Sequence, residues 1–136
     1  MMTLNKDSSP AEVRSAWADA LESGKYKQGH ERLRDGDKFC CLGVLCDLAA
    51  QAGVGVWEEE GYFNASESRF GRSNVALPDP VVEWAGLTTF NGQLKRPEWR
   101  GSVFCDGLAG ANDHLEYNFG QIAALIREGK VRTTDA

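Results

Sequence analysis

The stretch Phe39-Cys40-Cys41-Leu42-Gly43-Val44-Leu45-Cys46-Asp47-Leu48-Ala49-Ala50-Gln51-Ala52 decides the fold. It is apolar almost all round, and Gly53 stops it. A helix that is apolar on every side is a buried one. A short strand over 39–45 also fits the first half of the run. Length and the alanine-rich end favour a central buried helix over 39–52. Asp47 is the lone charge inside it. Its carboxylate must reach solvent or a partner, because an unpaired buried charge is costly.

Other helices are predicted on either side. Ser9 can cap a helix over 10–23, with Pro10 in the first turn and Glu12 completing a capping box. Val13, Ala16, Trp17, Ala20 and Leu21 form its apolar face, and Gly24 closes it. Asp79 and Pro80 open a short helix over 80–85 that ends at Gly86. A short helix or turn is read over 108–113. Asn118, with Gln121 three residues on, caps a last helix over 118–128 that Gly129 ends, and the tail 130–136 is expected to fray.

Between the helices the chain is more polar. Residues 25–38 read as an irregular or extended link with one short strand, and Asp35-Gly36-Asp37 as a turn. Val54, Val56, Trp57, Tyr62, Phe63 and Val75 are strand formers broken by turn-like segments, which predicts one or two antiparallel hairpins. Residues 88–101 read as a long loop and Ser102–Cys105 as a short strand. The sum is an α+β, mainly helical domain with a few short antiparallel strands.

The chain has 136 residues, with 15 Lys+Arg against 20 Asp+Glu and a net charge of −5. That fits a single domain over 1–136, with an ordered core over about 9–129. A chain of this size buries roughly two thirds of its unfolded surface and needs no staple to hold a core. No run approaches the ~20 apolar residues of a membrane span, and the first residues lack the apolar core of a signal peptide. The acidic balance disfavours a nucleic-acid-coating role.

Four cysteines, Cys40, Cys41, Cys46 and Cys105, belong to a reduced, cytosolic setting. Zinc sites want cysteine pairs about two to four residues apart, then a second pair. The offsets here differ, and no spacing joins His30 or His114 to Cys105, so no metal is expected. Thiols in an apolar run are better read as small apolar side chains. Neither Gly-x-Ser-x-Gly, His-Glu-x-x-His nor a P-loop occurs. Cys105 with His114 is the one candidate nucleophile–base pair for a small hydrolase. The acidic run Glu58–Glu60 reads as a solvated turn, and Asn112-Asp113-His114 as turn chemistry in which Asn or Asp bonds its own backbone.

Binding chemistry is better represented. Arg69 and Arg72 sit beside Phe70, and Arg96 and Arg100 flank Trp99. A guanidinium presents a planar fork to phosphate oxygens and stacks on rings, and an aromatic face offers a platform for a base. A nucleotide-sized anion needs that combination. The blander alternative is two surface loops with snorkelling arginines. A second basic stretch, Lys25, Lys27, Arg32, Arg34 and Lys38, is either a solvated face or part of an anion-binding rim.

Several segments together resemble a known family. They are Trp17-x-x-Ala20-Leu21-x-Ser23-Gly24-x-Tyr26-x-Gln28, the Cys40-Cys41-Leu42-Gly43-Val44-Leu45-Cys46-Asp47-Leu48 block, Leu77-Pro78 to Trp84-Ala85-Gly86-Leu87, and Asn112-Asp113 followed by Phe119-x-x-Ile122-Ala123-x-x-Ile126. They are similar to a family of small, mostly uncharacterised proteins of tailed bacteriophages and prophages, over about residues 14–128. The resemblance implies a phage accessory protein in the bacterial host cytoplasm and carries over no catalytic residue. The resulting expectation is a non-enzymatic binder, without cofactor, that sequesters an anionic nucleotide-type signal of anti-phage immunity. Arg69, Phe70, Arg72, Arg96, Trp99 and Arg100 would hold the ligand, in a pocket at the interface of a homo-oligomer. The alternative is a protein–protein inhibitor or adaptor on a host enzyme, with Trp57, Tyr62 and Trp99 as anchors.

Overall fold

The structure, a computed structural model, describes residues 4–65, 72–95 and 107–134. In chain order these form α1 (Pro10–Glu22), β1 (Lys27–Gln28), β2 (Arg34–Asp35), β3 (Lys38–Phe39), α2 (Cys41–Gln51) and β4 (Val56–Trp57). A 3-10 turn (Glu59–Gly61), β5 (Phe63–Asn64), α3 (Asp79–Ala85), α4 (Leu108–Asp113) and α5 (Phe119–Arg127) follow. Helices with a few short strands make it an α+β fold.

α1 forms as its caps dictate. The Ser9 hydroxyl accepts from the Glu12 N–H at 3.2 Å, and Glu12 returns the bond to the Ser9 N–H at 3.3 Å. Val13, Trp17, Ala18 and Leu21 are buried. α5 repeats the device with Asn118 and Gln121, both bonds at 2.8 Å, and packs Phe119, Ile122, Ala123 and Ile126 inward. α1 lies along α5, and exposed Arg127 of α5 reaches Asp19 and Glu22 of α1.

α2 is the buried centre, and seven of its eleven residues, from Cys41 to Cys46 together with Ala49, are buried. It starts at Cys41 rather than 39. Phe39 belongs to a strand, and Cys40 is the cap, its sulfur accepting from the Gly43 N–H at 3.4 Å. The Trp17 indole N–H donates to the Cys41 carbonyl at 2.9 Å, tying α1 to the start of α2. α3 also starts one residue off expectation, because extended Pro78 takes the cap position and Asp79 is already helical.

The segment 25–39 holds more strand than one. β2 and β3 form an antiparallel hairpin, with Arg34 opposite Phe39 and Asp35 opposite Lys38. Gly36, at φ +63°, makes the left-handed bend of the tight turn. β1 lies on the other side of β3 and runs parallel to it, against the expectation of antiparallel strands alone. The chain leaves β1, doubles back through β2 and returns in β1's direction. β4 and β5 pair antiparallel as predicted, Val56 opposite Asn64 and Trp57 opposite Phe63.

Two glycines bring these layers together. A Cβ at Gly43 of α2 would overlap the Leu33 carbonyl oxygen, and a Cβ at Gly61 of the 3-10 turn would overlap the Arg34 carbonyl oxygen. The backbone at Leu33–Arg34 is therefore pressed between a helix and a turn that both lack side chains there.

The tail does not fray where expected. Val131 is buried and bridges Leu94, Thr133 bridges Leu87, and the Thr134 N–H donates to the Gly86 carbonyl at 2.8 Å. The predicted strand Ser102–Cys105 lies outside the described residues. Among the described residues no helix is long and apolar enough to cross a membrane.

Candidate functional site

The β2–β3 hairpin and the 3-10 turn enclose an open groove of 650 Å³, within the range of about 300–1,000 Å³ usual for small-molecule sites. Arg32, Arg34 and Asp35 line one side, and Glu58, Glu60 and Gly61 the other. Arg34 is set by its surroundings. Its guanidinium carbon lies 5.2 Å from the Phe39 ring centre and 5.5 Å from that of Trp57. Its Nε donates to the Gly36 carbonyl at 3.1 Å. The outer guanidinium nitrogens have no hydrogen-bond acceptor among the described residues. Attraction to the ring faces holds such a cation in place and leaves its outer N–H groups available.

The rings beneath Arg34 form a ladder. Tyr26 meets Phe39 edge-on at 5.1 Å, Phe39 meets Trp57 at 6.0 Å, and Trp57 meets Phe63 at 4.9 Å. Asp47 ties the ladder to α2. It accepts from the Tyr26 hydroxyl at 2.6 Å, the Trp57 indole at 2.9 Å and the Gln51 amide at 3.0 Å. The lone charge of the central helix thus has the partners that its position demands. Burial and the Asp47 carboxylate both raise the Tyr26 pKa.

Arg72 flanks the groove. Its guanidinium carbon lies 4.3 Å from the Tyr62 ring centre, and Nη1 lies 3.2 Å from Glu58. Glu58 also accepts from the Asn64 amide at 2.9 Å, and Asn64 and then Arg72 hold its carboxyl below the usual carboxylate range. The expected solvated acidic turn is therefore partly engaged. Glu60, at φ +60° on the groove wall, makes no side-chain bond among the described residues.

A second polar centre lies beside the start of α2. Asn112 is fully buried. Its carbonyl oxygen accepts from the Gln28 amide at 2.9 Å and the Cys41 N–H at 3.2 Å. Its amide donates to the Gly29 carbonyl at 2.9 Å and to Asp113 at 2.8 Å. Asp113 in turn accepts from the Glu31 N–H at 2.8 Å. The expectation of local turn chemistry is corrected for two of the trio: Asn112 and Asp113 reach across the chain and anchor the loop that leads to Arg32. Asn112 is a structural hub whose bonding capacity is filled from within.

Cys40 and Cys41, at the start of α2, lie beside this hub, Cys46 sits further along the helix, and all three are buried and outside any disulfide. Burial pushes Cys40 up to about 12 and raises Cys41 and Cys46 well above the ordinary range. A protonated, buried thiol is no nucleophile. Among the described residues no group of His, Cys, Asp and Glu is arranged to hold a metal ion.

Of the predicted ligand-binding residues, Arg72 is described, and its guanidinium lies over the Tyr62 ring. Arg69, Phe70, Arg96, Trp99 and Arg100 lie outside the described residues, as does Cys105. His114 follows α4 at its C-terminal cap. The basic stretch divides: Lys27 pairs at the surface with Asp37 at 2.9 Å, while Arg32 and Arg34 turn to the groove. Trp57, an anchor in the inhibitor reading, is half-buried and packs in the ring ladder. Sequence reading missed the stacking of Arg34 on Trp57. The available signal was an arginine and aromatics clustered at two predicted hairpins.

A family model described as a domain of unknown function (DUF8296) matches residues 10–130, which include every element from α1 to α5 and the whole groove. No curated protein and no solved structure matches the chain.

Proposed function

We propose that this chain, which belongs to the DUF8296 family of domains of unknown function, binds an anionic, nucleotide-type small molecule in the groove between the β2–β3 hairpin and the 3-10 turn. The observation that carries this reading is Arg34, held over the Phe39 and Trp57 rings with its outer N–H groups open to the groove that Arg32 also lines. Two guanidinium groups supply charge-assisted donors for phosphate oxygens, and the plane of Arg34 supplies a shelf for a base. Binding proceeds without turnover, a reading supported by the buried, protonated state of the three described thiols. The resemblance of the Cys-Cys-Leu-Gly-Val-Leu-Cys-Asp-Leu block to phage proteins supports the setting. In that setting the protein acts in the cytoplasm of an infected bacterium and withdraws a nucleotide signal of its immunity. The inhibitor or adaptor reading is less favoured, because Trp57 and Tyr62 are occupied by contacts within the chain.

Isothermal titration with 5′-GMP, 5′-AMP and pyrophosphate tests the proposal. Saturable binding of at least one nucleotide is expected, weakened at least about tenfold in Arg34→Ala, the loss for one charge-assisted pair. Absence of saturable binding, or unchanged affinity in an Arg32→Ala, Arg34→Ala double variant that keeps its fold, overturns it.

A further inference from the structure

The groove carries both signs of charge without neutralising itself. Arg34 and Glu60 line it together, yet no ion pair joins them. Glu58, beside them, has both carboxylate oxygens in use, one on Asn64 and one on Arg72. Two groove carboxylates are left over, Asp35 on the hairpin beside the arginines and Glu60 alone on the facing turn.

Its backbone is unusual. Glu60 sits at φ +60°, ψ 28°, a left-handed conformation that L residues other than Asn and Asp rarely adopt. The turn around it is over-determined. The Glu58 N–H donates to the Tyr62 carbonyl at 2.8 Å, the Tyr62 N–H donates to the Glu59 carbonyl at 3.2 Å, and Gly61 lies against the Arg34 backbone. A strained residue held on a groove wall is where recognition chemistry tends to be stored.

We propose that Glu60 makes the groove selective for guanine nucleotides, an inference that rests on the nucleotide reading above. The chemistry is that of donor patterns. A carboxylate only accepts, so it seeks two neighbouring N–H groups. The guanine Watson–Crick edge offers them in N1–H and the 2-amino group. Adenine and cytosine set one amino group beside a ring-nitrogen acceptor, which faces the carboxylate lone pairs unfavourably. Uracil places its single N–H between two carbonyls. With the phosphate on Arg32 and Arg34 and the base edge on Glu60, one ligand spans the groove from the hairpin to the turn.

The test is titration of the wild-type chain with 5′-GMP, 5′-IMP, 5′-AMP, 5′-CMP and 5′-UMP. GMP is expected to bind at least about tenfold more tightly than AMP, CMP and UMP, in keeping with the discrimination of one bidentate base contact. IMP, which keeps N1–H and lacks the 2-amino group, should fall between GMP and AMP. Glu60→Gln should close the gap, because an amide pairs with adenine as readily as with guanine. Glu60→Ala, with its fold checked by circular dichroism, should close it as well. Equal affinity for all the bases, with binding lost in Arg34→Ala, overturns guanine selectivity and leaves the phosphate site standing. A GMP preference that survives both Glu60 variants overturns the role of Glu60. Binding of no nucleotide overturns both this inference and the reading beneath it.

Discussion

Replacing Asn112 by alanine should remove more stability than any surface change in this molecule. The side chain is fully buried and uses its capacity on four partners. Two of those lose their partner in the variant: the Cys41 N–H and the Gly29 carbonyl, both buried backbone groups. The other two are cushioned. The Gln28 amide still donates to the Tyr117 carbonyl at 2.8 Å, and Asp113 still accepts from the Glu31 N–H. An orphaned buried group costs about 1–3 kcal/mol, so two orphans cost about 2–6 kcal/mol. A total stability of about 5–15 kcal/mol would be cut deeply. Urea unfolding followed by tryptophan fluorescence measures the loss as a shift of midpoint at constant slope. Asp113→Ala is the comparison, since it removes an acceptor at a less buried position and should cost less. A loss under about 1 kcal/mol for Asn112→Ala, within the reach of an ordinary surface change, would refute the hub.

Three other outcomes follow from the geometry. Glu60→Gly should stabilise the chain by about 0.5–1 kcal/mol, because glycine takes φ +60° without the cost an L side chain carries there; thermal unfolding at or below the wild-type midpoint contradicts this. Gly43→Ala should destabilise by about 3 kcal/mol, because the new Cβ overlaps backbone that cannot rotate away; a wild-type unfolding curve would show that α2 can shift off Leu33. In a Cys105→Ser variant, Ellman's reagent at mildly alkaline pH should leave Cys40, Cys41 and Cys46 untouched until the chain is denatured, and rapid labelling of the native protein would contradict their burial. These raised thiols also predict the pH profile. Their contribution is fully present below the ordinary thiol value of 9.0 and falls as pH rises from there toward about 12, the folded value for Cys40. The slope is about 1.4 kcal/mol per pH unit for each thiol that ionises only on unfolding, and a denaturation midpoint constant from neutral to strongly alkaline pH would contradict it.

The helices were legible because their signals are local. The Ser9–Glu12 and Asn118–Gln121 boxes each join residues three positions apart, and the left-handed glycines Gly24, Gly53, Gly86 and Gly129 stop their helices where the pattern says. The all-round apolarity of 41–51 likewise announced a central helix. What escaped was set at long range. Asn112 and Gln28 are 84 positions apart, and nothing in the motif Asn112-Asp113-His114 tells turn chemistry from a buried hub. Two-residue strands carry too little alternation to reveal pairing, so the parallel match of β1 with β3 was invisible. The site was half legible. An arginine-and-aromatic chemistry was expected, and Arg32 and Arg34 stood in a stretch read as a solvated face or an anion rim. That Trp57 would come to lie under Arg34 depends on Gly61 meeting the Arg34 backbone, a contact no spacing rule encodes.

The absence of side chains at Gly43 and Gly61 has a bearing on how a ligand would be captured. The peptide links at Leu33 and Arg34 have no freedom left to surrender on binding, since helix and turn already press on them from opposite sides. Immobilising one residue's backbone costs about 1–2 kcal/mol, and here that ordering is completed when the chain folds. A variant that loosened either contact could keep every groove side chain and still bind more weakly, because disorder removed during folding would have to be removed by the ligand instead.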